Sequence, residues 1–293
     1  MSGGGKTMTA FFEKLMRIDK RVIYVIMLLS MTLPMFMTFG LPIRLSQPTL
    51  DAYAMIEALN EGDIVWIGAE VSPSQESELA PMMKAMARHL CEKKARILIG
   101  GFFSQGPDLA RKWIYSIFDE YGYVEGVDFV NIGYRTSFAA TMDAARMNLH
   151  EAFANRDVNN TPFSDLPLMA DAKVAADVDL VIAFDGGSPG TDDYIQSWQA
   201  TGDVMTMIGA VAAVEIPNNM VKYNAGLLKG LAGGMSGAAQ YEKLVEAPGA
   251  ATSGMDSQGF AHLTIIAFIV LGNIGYLVTR SSGGKSDAET LRQ

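Results

Sequence analysis

Two uncharged apolar runs bracket this chain and limit what can lie between them. The first covers Val22 to Ile43, 22 residues without a formal charge, and the second covers Ser257 to Thr279. At about 1.5 Å of rise per residue, either run matches the roughly 30 Å hydrocarbon core of a bilayer. Each therefore predicts a transmembrane helix. Pro34 removes one backbone hydrogen bond inside the first run, which lipid tolerates if a neighbouring helix or Thr32 satisfies the freed group. In the second run His262 falls within a turn of the predicted end and reads as an interfacial imidazole. Asn273 lies deeper, where it could bond a second helix, and Gly272 and Gly275 permit close approach.

Charge divides along the same boundaries. Residues 1–21 carry five Lys/Arg and two acids, residues 44–256 carry fifteen and twenty-eight, and residues 280–293 carry three and two, within a net charge of −9. Lys14, Arg17, Lys20 and Arg21 precede the first run, and Arg280 and Lys285 follow the second. The positive-inside rule then predicts an integral membrane protein with both termini cytoplasmic and an acidic extracytoplasmic middle. A cleaved signal peptide fits less well than an uncleaved signal anchor: the apolar core exceeds the usual 7–15 residues and no A-x-A site follows. Before the anchor, Thr9 could cap a short helix laying Phe11, Phe12, Leu15 and Met16 on the membrane surface. Nucleic acid is excluded as a partner, because the large segment is acidic. The resulting domains are a cytoplasmic segment (1–21), two spans (22–43 and 257–279), an extracytoplasmic domain (44–256) and a cytoplasmic tail (280–293).

Within that domain, short apolar runs alternate with helical patterns. The runs are Asp63–Glu70, Ala95–Phe102, Asp128–Gly133, Asp179–Phe184 and Val204–Val214. Near-continuous apolar character suits strands buried on both faces, so the sheet is expected to be parallel. Leu79, Met82, Met83, Met86 and Leu90 recur at helical spacing, as do Leu109, Trp113, Ile117 and Tyr121 after Pro107, and a third helix is expected over 138–154. The predicted fold is a doubly wound, Rossmann-like α/β sheet with a transmembrane helix at each end. Residues 155–177 read as an insertion.

Ligands of open α/β sheets bind beyond the carboxyl ends of the strands, where strand order reverses. Glu70, Ser72, Ser104, Arg135, Asp185, Ser188 and Glu215 are the ligand-binding candidates on that ground. The alternative is that the glycines at the strand ends only form tight turns. Asp185, Asp192 and Asp193, set among Gly186, Gly187 and Gly190, could hold a divalent cation through oxygen, although their spacing is not that of an EF-hand. Thr191 or Asp192 could instead cap the following helix. No other cofactor is expected. Gly186 to Gly190 is similar to G-x-S-x-G around Ser188, but Pro189 lacks the N–H that would complete an oxyanion hole. Ser2 to Thr7 ends like a phosphate loop without the preceding strand. His89, His150 and His262 have no zinc spacing, and the first two read as solvated surface. Cys91 is alone and reads as a buried thiol. Asn159 begins a glycosylation sequon, of use only in a eukaryotic secretory pathway.

Residues 223–244 carry a packing signal. Gly226, Gly230, Gly234 and Ala238 fall four apart, on one face of a helix, and each glycine costs about 1 kcal/mol there relative to alanine, so a close contact must compensate. That contact is either a neighbouring protomer, which the small residues Gly272 and Asn273 of the second span would extend, or the domain's own sheet. Three functions follow as expectations. The first is a structural subunit of a homo- or hetero-oligomeric membrane complex. The second is a membrane-anchored small-ligand or cation-binding sensor, and the third a metal-assisted extracytoplasmic hydrolase.

Overall fold

Six short strands lie side by side in the order β3-β2-β1-β4-β5-β6, every neighbouring pair parallel. They are β1 (Ile64–Glu70), β2 (Arg96–Gly101), β3 (Phe129–Tyr134), β4 (Leu180–Asp185), β5 (Met207–Val211) and β6 (Gly230–Gly233). The computed structural model describes residues 19–37 and 39–290, with side chains as far as Val278. The surface helix expected after Thr9 and the Ser2–Thr7 segment lie outside the described residues. Five strands overlap the five apolar runs, since burial on both faces keeps polar residues to their ends, with the buried Asn131 in the middle of β3 as an exception. Chain order reverses between β1 and β4, the arrangement of doubly wound sheets.

Helices fill the crossovers: α2 (Gln47–Glu57), α3 (Glu76–Glu92), α4 (Gly106–Tyr121), α5 (Phe138–Met147), α6 (Leu149–Ala152), α7 (Thr191–Tyr194, continued by a wider turn to Gln199), α8 (Ile216–Asn224) and α9 (Gly234–Leu244). The helix foreseen over 138–154 is broken at Asn148, whose extended backbone ends α5 while its side chain accepts the Glu151 N–H to start α6. Period-2 alternation puts Ile64, Trp66 and Glu70 on one face of β1. There Trp66 packs edge-on against Phe153 and Trp198. These residues anchor a core that also takes in Tyr194, Val181 and Ala183. Cys91 is buried, and burial pushes its thiol up to about 12.

The chain divides into two units. Residues Pro42–Thr252 form the α/β unit, and Met1–Leu41 with Ser253–Gln293 form the other. The second unit contains α1 (Lys20–Phe36) and most of α10 (Ala250–Thr290). The segment Ala250–Val278 of α10 is long and apolar enough to cross a membrane. The expected first span is corrected. Its helix stops at Phe36 after 17 residues, about 25 Å. The reason is a competing partner: Asp256, fully buried, accepts the N–H groups of Phe39, Gly40 and Leu41 at 2.8 Å each. Those amides are then unavailable to a helix. Near Pro34, the Ser257 hydroxyl of α10 donates to the Met31 carbonyl at 2.5 Å, and Thr32 bonds Leu28 within its own helix.

The glycine-rich stretch is a second correction. It is no continuous helix: α8 ends at Asn224, Gly226 turns the chain with φ +76°, β6 forms the sheet edge, and Gly234 with φ +59° opens α9. Gly230 is held against α2, where an added Cβ would lie 2.3 Å from the Ala52 Cα. Ala238 is buried inside the unit. At Gly230 and Ala238 the compensating contact is therefore the domain's own packing, and Gly226, Gly230, Gly234 and Ala238 do not share one helix face. Two histidines are also corrected: His89 is buried between the Tyr241 hydroxyl and Glu57, and His150 donates to the Met169 and Ala172 carbonyls.

Gly230→Ala should lower the unfolding free energy by about 1–3 kcal/mol, the usual cost of overpacking, because backbone atoms must move. Gly272→Ala, where a Cβ inside α10 meets nothing within 4 Å, should not lower it and gains up to about 1 kcal/mol of helix propensity. Chemical denaturation of the two variants measures both.

Candidate functional site

At the reversal point Glu70 ends β1 and Asp185 ends β4, paired in register on the same face of the sheet. Both carboxylates are buried. Glu70 is gripped by three donors: the Phe102 and Phe103 amides at 2.9 Å and the Tyr194 hydroxyl at 2.8 Å. Tyr194 reaches it because Gly68, two residues before Glu70 on the same strand face, has no side chain. A Cβ there would sit 2.6 Å from the tyrosine oxygen. The Trp66 indole N–H donates to that oxygen in turn. Desolvation outweighs these bonds and, with Asp185 adjacent, raises the Glu70 carboxyl from 4.5 to about 7.

Asp185 folds the glycine loop back on itself. It accepts from the Gly187 amide at 2.8 Å and from the Thr191 amide and hydroxyl at 2.9 Å. Gly190 is required there, since a Cβ would meet the Asp185 carboxylate at 2.5 Å. Behind the loop, Lys222 of α8 donates to the Thr191 hydroxyl at 2.9 Å, to Asn219 at 3.1 Å and to Asp192 at 2.9 Å. On the other side, Gln75 accepts the Ser72 amide and donates to the Gly186 carbonyl, tying the β1 loop to the β4 loop.

Three depressions open along the carboxyl edge. A crevice of about 130 Å³ is lined by Glu70, Ser72, Gln75, Phe103 and Gly186–Pro189. Next to it, about 300 Å³ is lined by Asp185, Ser188, Asp192, Asp193, Glu215 and Asn218. Ser188, exposed, borders both. Ser104 and Arg135 are elsewhere, in a cavity of about 470 Å³ beyond β2 and β3. The structure thus brings Glu70, Ser72 and Ser188 together, and Asp185, Ser188 and Glu215, but not all seven candidates.

The three acids named for a cation are each engaged. Asp185 holds the loop, Asp192 pairs with Lys222 and Asn218, and Asp193 accepts the Gly190 amide at 2.8 Å. Among the described residues no group of three or more His, Cys, Asp or Glu is placed to hold a metal ion. Sequence reasoning missed Gln75, Tyr194, Asn219 and Lys222. Only the last two left a trace, as polar residues three apart on one helix, which share a face. No family model, curated protein or solved structure matches this chain.

The raised Glu70 value has a definite sign. The folded state binds this proton more tightly than the unfolded chain, so the stability it confers is complete below about pH 4.5 and is lost as pH rises through about 7. Relative to Glu70→Gln, the wild-type protein should lose roughly 3 kcal/mol across that window. Thermal unfolding of both proteins from acid to neutral pH reads the difference, and parallel profiles would show that Glu70 titrates normally.

Proposed function

We propose that this chain is a membrane-anchored binding protein whose α/β unit takes a small polar ligand in the crevice over the ends of β1 and β4. The observation that carries this is the crevice itself. Two loops bound to each other through Gln75 leave a recess at the reversal point, where doubly wound sheets bind ligands. Its volume, about 130 Å³, approaches that of engineered cavities that admit benzene. Ser72, Ser188 and the Gly187 backbone offer polar contacts there.

Anchoring rests on exposed apolar surface. Leu28, Leu33 and Phe36 of α1 and Leu263, Ile266, Ile269 and Leu277 of α10 are exposed. Contiguous surface of this kind in water marks a membrane or protein contact. α10 crosses the bilayer in this reading, and the basic residues Arg280 and Lys285 that follow its apolar segment hold the C-terminus on the cytoplasmic side with the acidic unit outside. Ile266→Lys with Ile269→Lys should release the protein from membranes on alkaline washing. A cysteine replacing exposed Met147 should react with an impermeant thiol reagent in intact cells, and one replacing Ser286 should not.

A second reading, a subunit of an oligomeric membrane complex, is favoured by one observation. Gly272 faces open space on a helix whose neighbouring Asn273, among the described residues, donates to its own Ile269 carbonyl, a surface suited to another helix. Native mass spectrometry of the full chain in mild detergent separates the two readings. A retained small molecule, lost in Ser188→Trp, is the expected result for the binding protein, whereas an oligomer without one favours the subunit.

A further inference from the structure

The cavity beyond β2 and β3 has a chemistry of its own. Arg135 follows β3 and is fixed on three sides: its guanidinium lies 5.7 Å from the Phe153 ring centre, and it donates to the Phe153 carbonyl and, at 2.9 Å, to that of Tyr134. Arg156 enters from the insertion and donates to the Asn160 carbonyl at 2.9 Å. Both line the same space, as does Ser104 on the loop leading into α4.

Carboxylates are plentiful in this acidic unit: Arg88 and Arg96 each hold one, and Arg146 holds two. Arg135 and Arg156 hold none among the described residues. With five N–H donors apiece, they keep three and four uncommitted after their carbonyl bonds. Two acids share the lining and offset the charge, but among the described residues neither takes a guanidinium donor. Asp157 is buried and closes its own turn, one of its oxygens taking the Asn159 and Thr161 amides at 2.9 and 2.7 Å. Asp108 is exposed in the first turn of α4.

The backbone carrying Arg156 is also held in an uncommon state. Ala154, Asn155 and Asn160 have φ of +59°, +57° and +67°. Alanine has no side-chain hydrogen bond to favour that region, and such strain persists where the surroundings enforce it. Gly133, at φ +81°, lets Val158 close in, since a Cβ there would meet it at 3.0 Å.

From this geometry we propose that the cavity binds a small organic anion through its carboxylate or phosphate group, held between the Arg135 and Arg156 guanidiniums. Guanidinium forks match both oxyanions with paired hydrogen bonds, and the preset Arg135 loses little freedom on binding. At about 470 Å³ the cavity has room for a small metabolite. The site is separate from the crevice at β1 and β4 and does not depend on a ligand there.

Isothermal titration of the full chain with inorganic phosphate and with succinate tests it. Binding of either anion is expected, and the one that binds names the group recognised. Arg156→Gln, an exposed change that leaves the core untouched, should weaken binding about tenfold or more, the effect of losing one charge-assisted contact. Arg135→Lys keeps the charge but not the fork and should also weaken it. Asp108→Asn removes the exposed rim carboxylate and should tighten it. The proposal is overturned if neither anion binds the wild-type protein, or if Arg156→Gln and Arg135→Lys both bind as the wild type does.

Discussion

Buried carboxylates that accept backbone N–H groups are the interaction on which this structure depends. Glu70 takes the Phe102 and Phe103 amides, and Asp185 takes those of Gly187 and Thr191. Glu242 takes Gly249, Ala251 and Thr252, and Asp256 takes Phe39, Gly40 and Leu41. An N–H buried without a partner costs about 1–3 kcal/mol, and a carboxylate can serve two or three at once with stronger, charge-assisted bonds. Irregular segments that no sheet or helix satisfies are thereby made tolerable. The acids that give the chain its negative charge are, at these positions, part of the main-chain hydrogen bonding.

The same device shapes the carboxyl edge. Because Asp185 occupies the amides of the glycine loop, the loop presents to the crevice its Ser188 side chain and its remaining backbone rather than an empty anion cradle. Because Glu70 draws the β2 loop toward β1, Phe103 becomes a wall of that crevice. Gly68 and Gly190 are small for a related reason: one admits the Tyr194 ring, the other the Asp185 carboxylate. Position and shape at the reversal point follow from which groups must reach these two acids.

What the sequence discloses here is what depends on near neighbours. Short, mostly apolar runs disclose β1 to β5, since a strand buried on both faces has little room for polar residues. β6 escapes because Gly-Leu-Ala-Gly has no β-branched residue, and its glycines recur at a helix-like interval for another reason, the closeness of Ala52. The end of α1 escapes because Asp256 lies more than two hundred residues away. His89 stands beside Arg88 and near Lys93, yet Tyr241 and Glu57 enclose it from other helices. Glu70 and Asp185 are legible as strand ends, whereas Tyr194, which bonds Glu70, and Lys222, which reaches Asp185 only by way of Thr191, are brought there by the fold.

Proton counting shows how far the coupling at this edge extends. Thr191 has one hydroxyl proton and two acceptors within reach, Asp185 and Asn219. Lys222 spends its three protons on Thr191, Asn219 and Asp192, so the Asn219 oxygen already has a donor, while the Asn219 amide group donates to the Glu215 carbonyl. The Thr191 proton therefore goes to Asp185, the charged acceptor. That choice orients every member of the set, so Lys222 on α8 polarises the hydroxyl that steadies the β4 carboxylate. A change at Lys222 is felt first at the glycine loop, through a chain of hydrogen bonds with no spare donor to substitute for it.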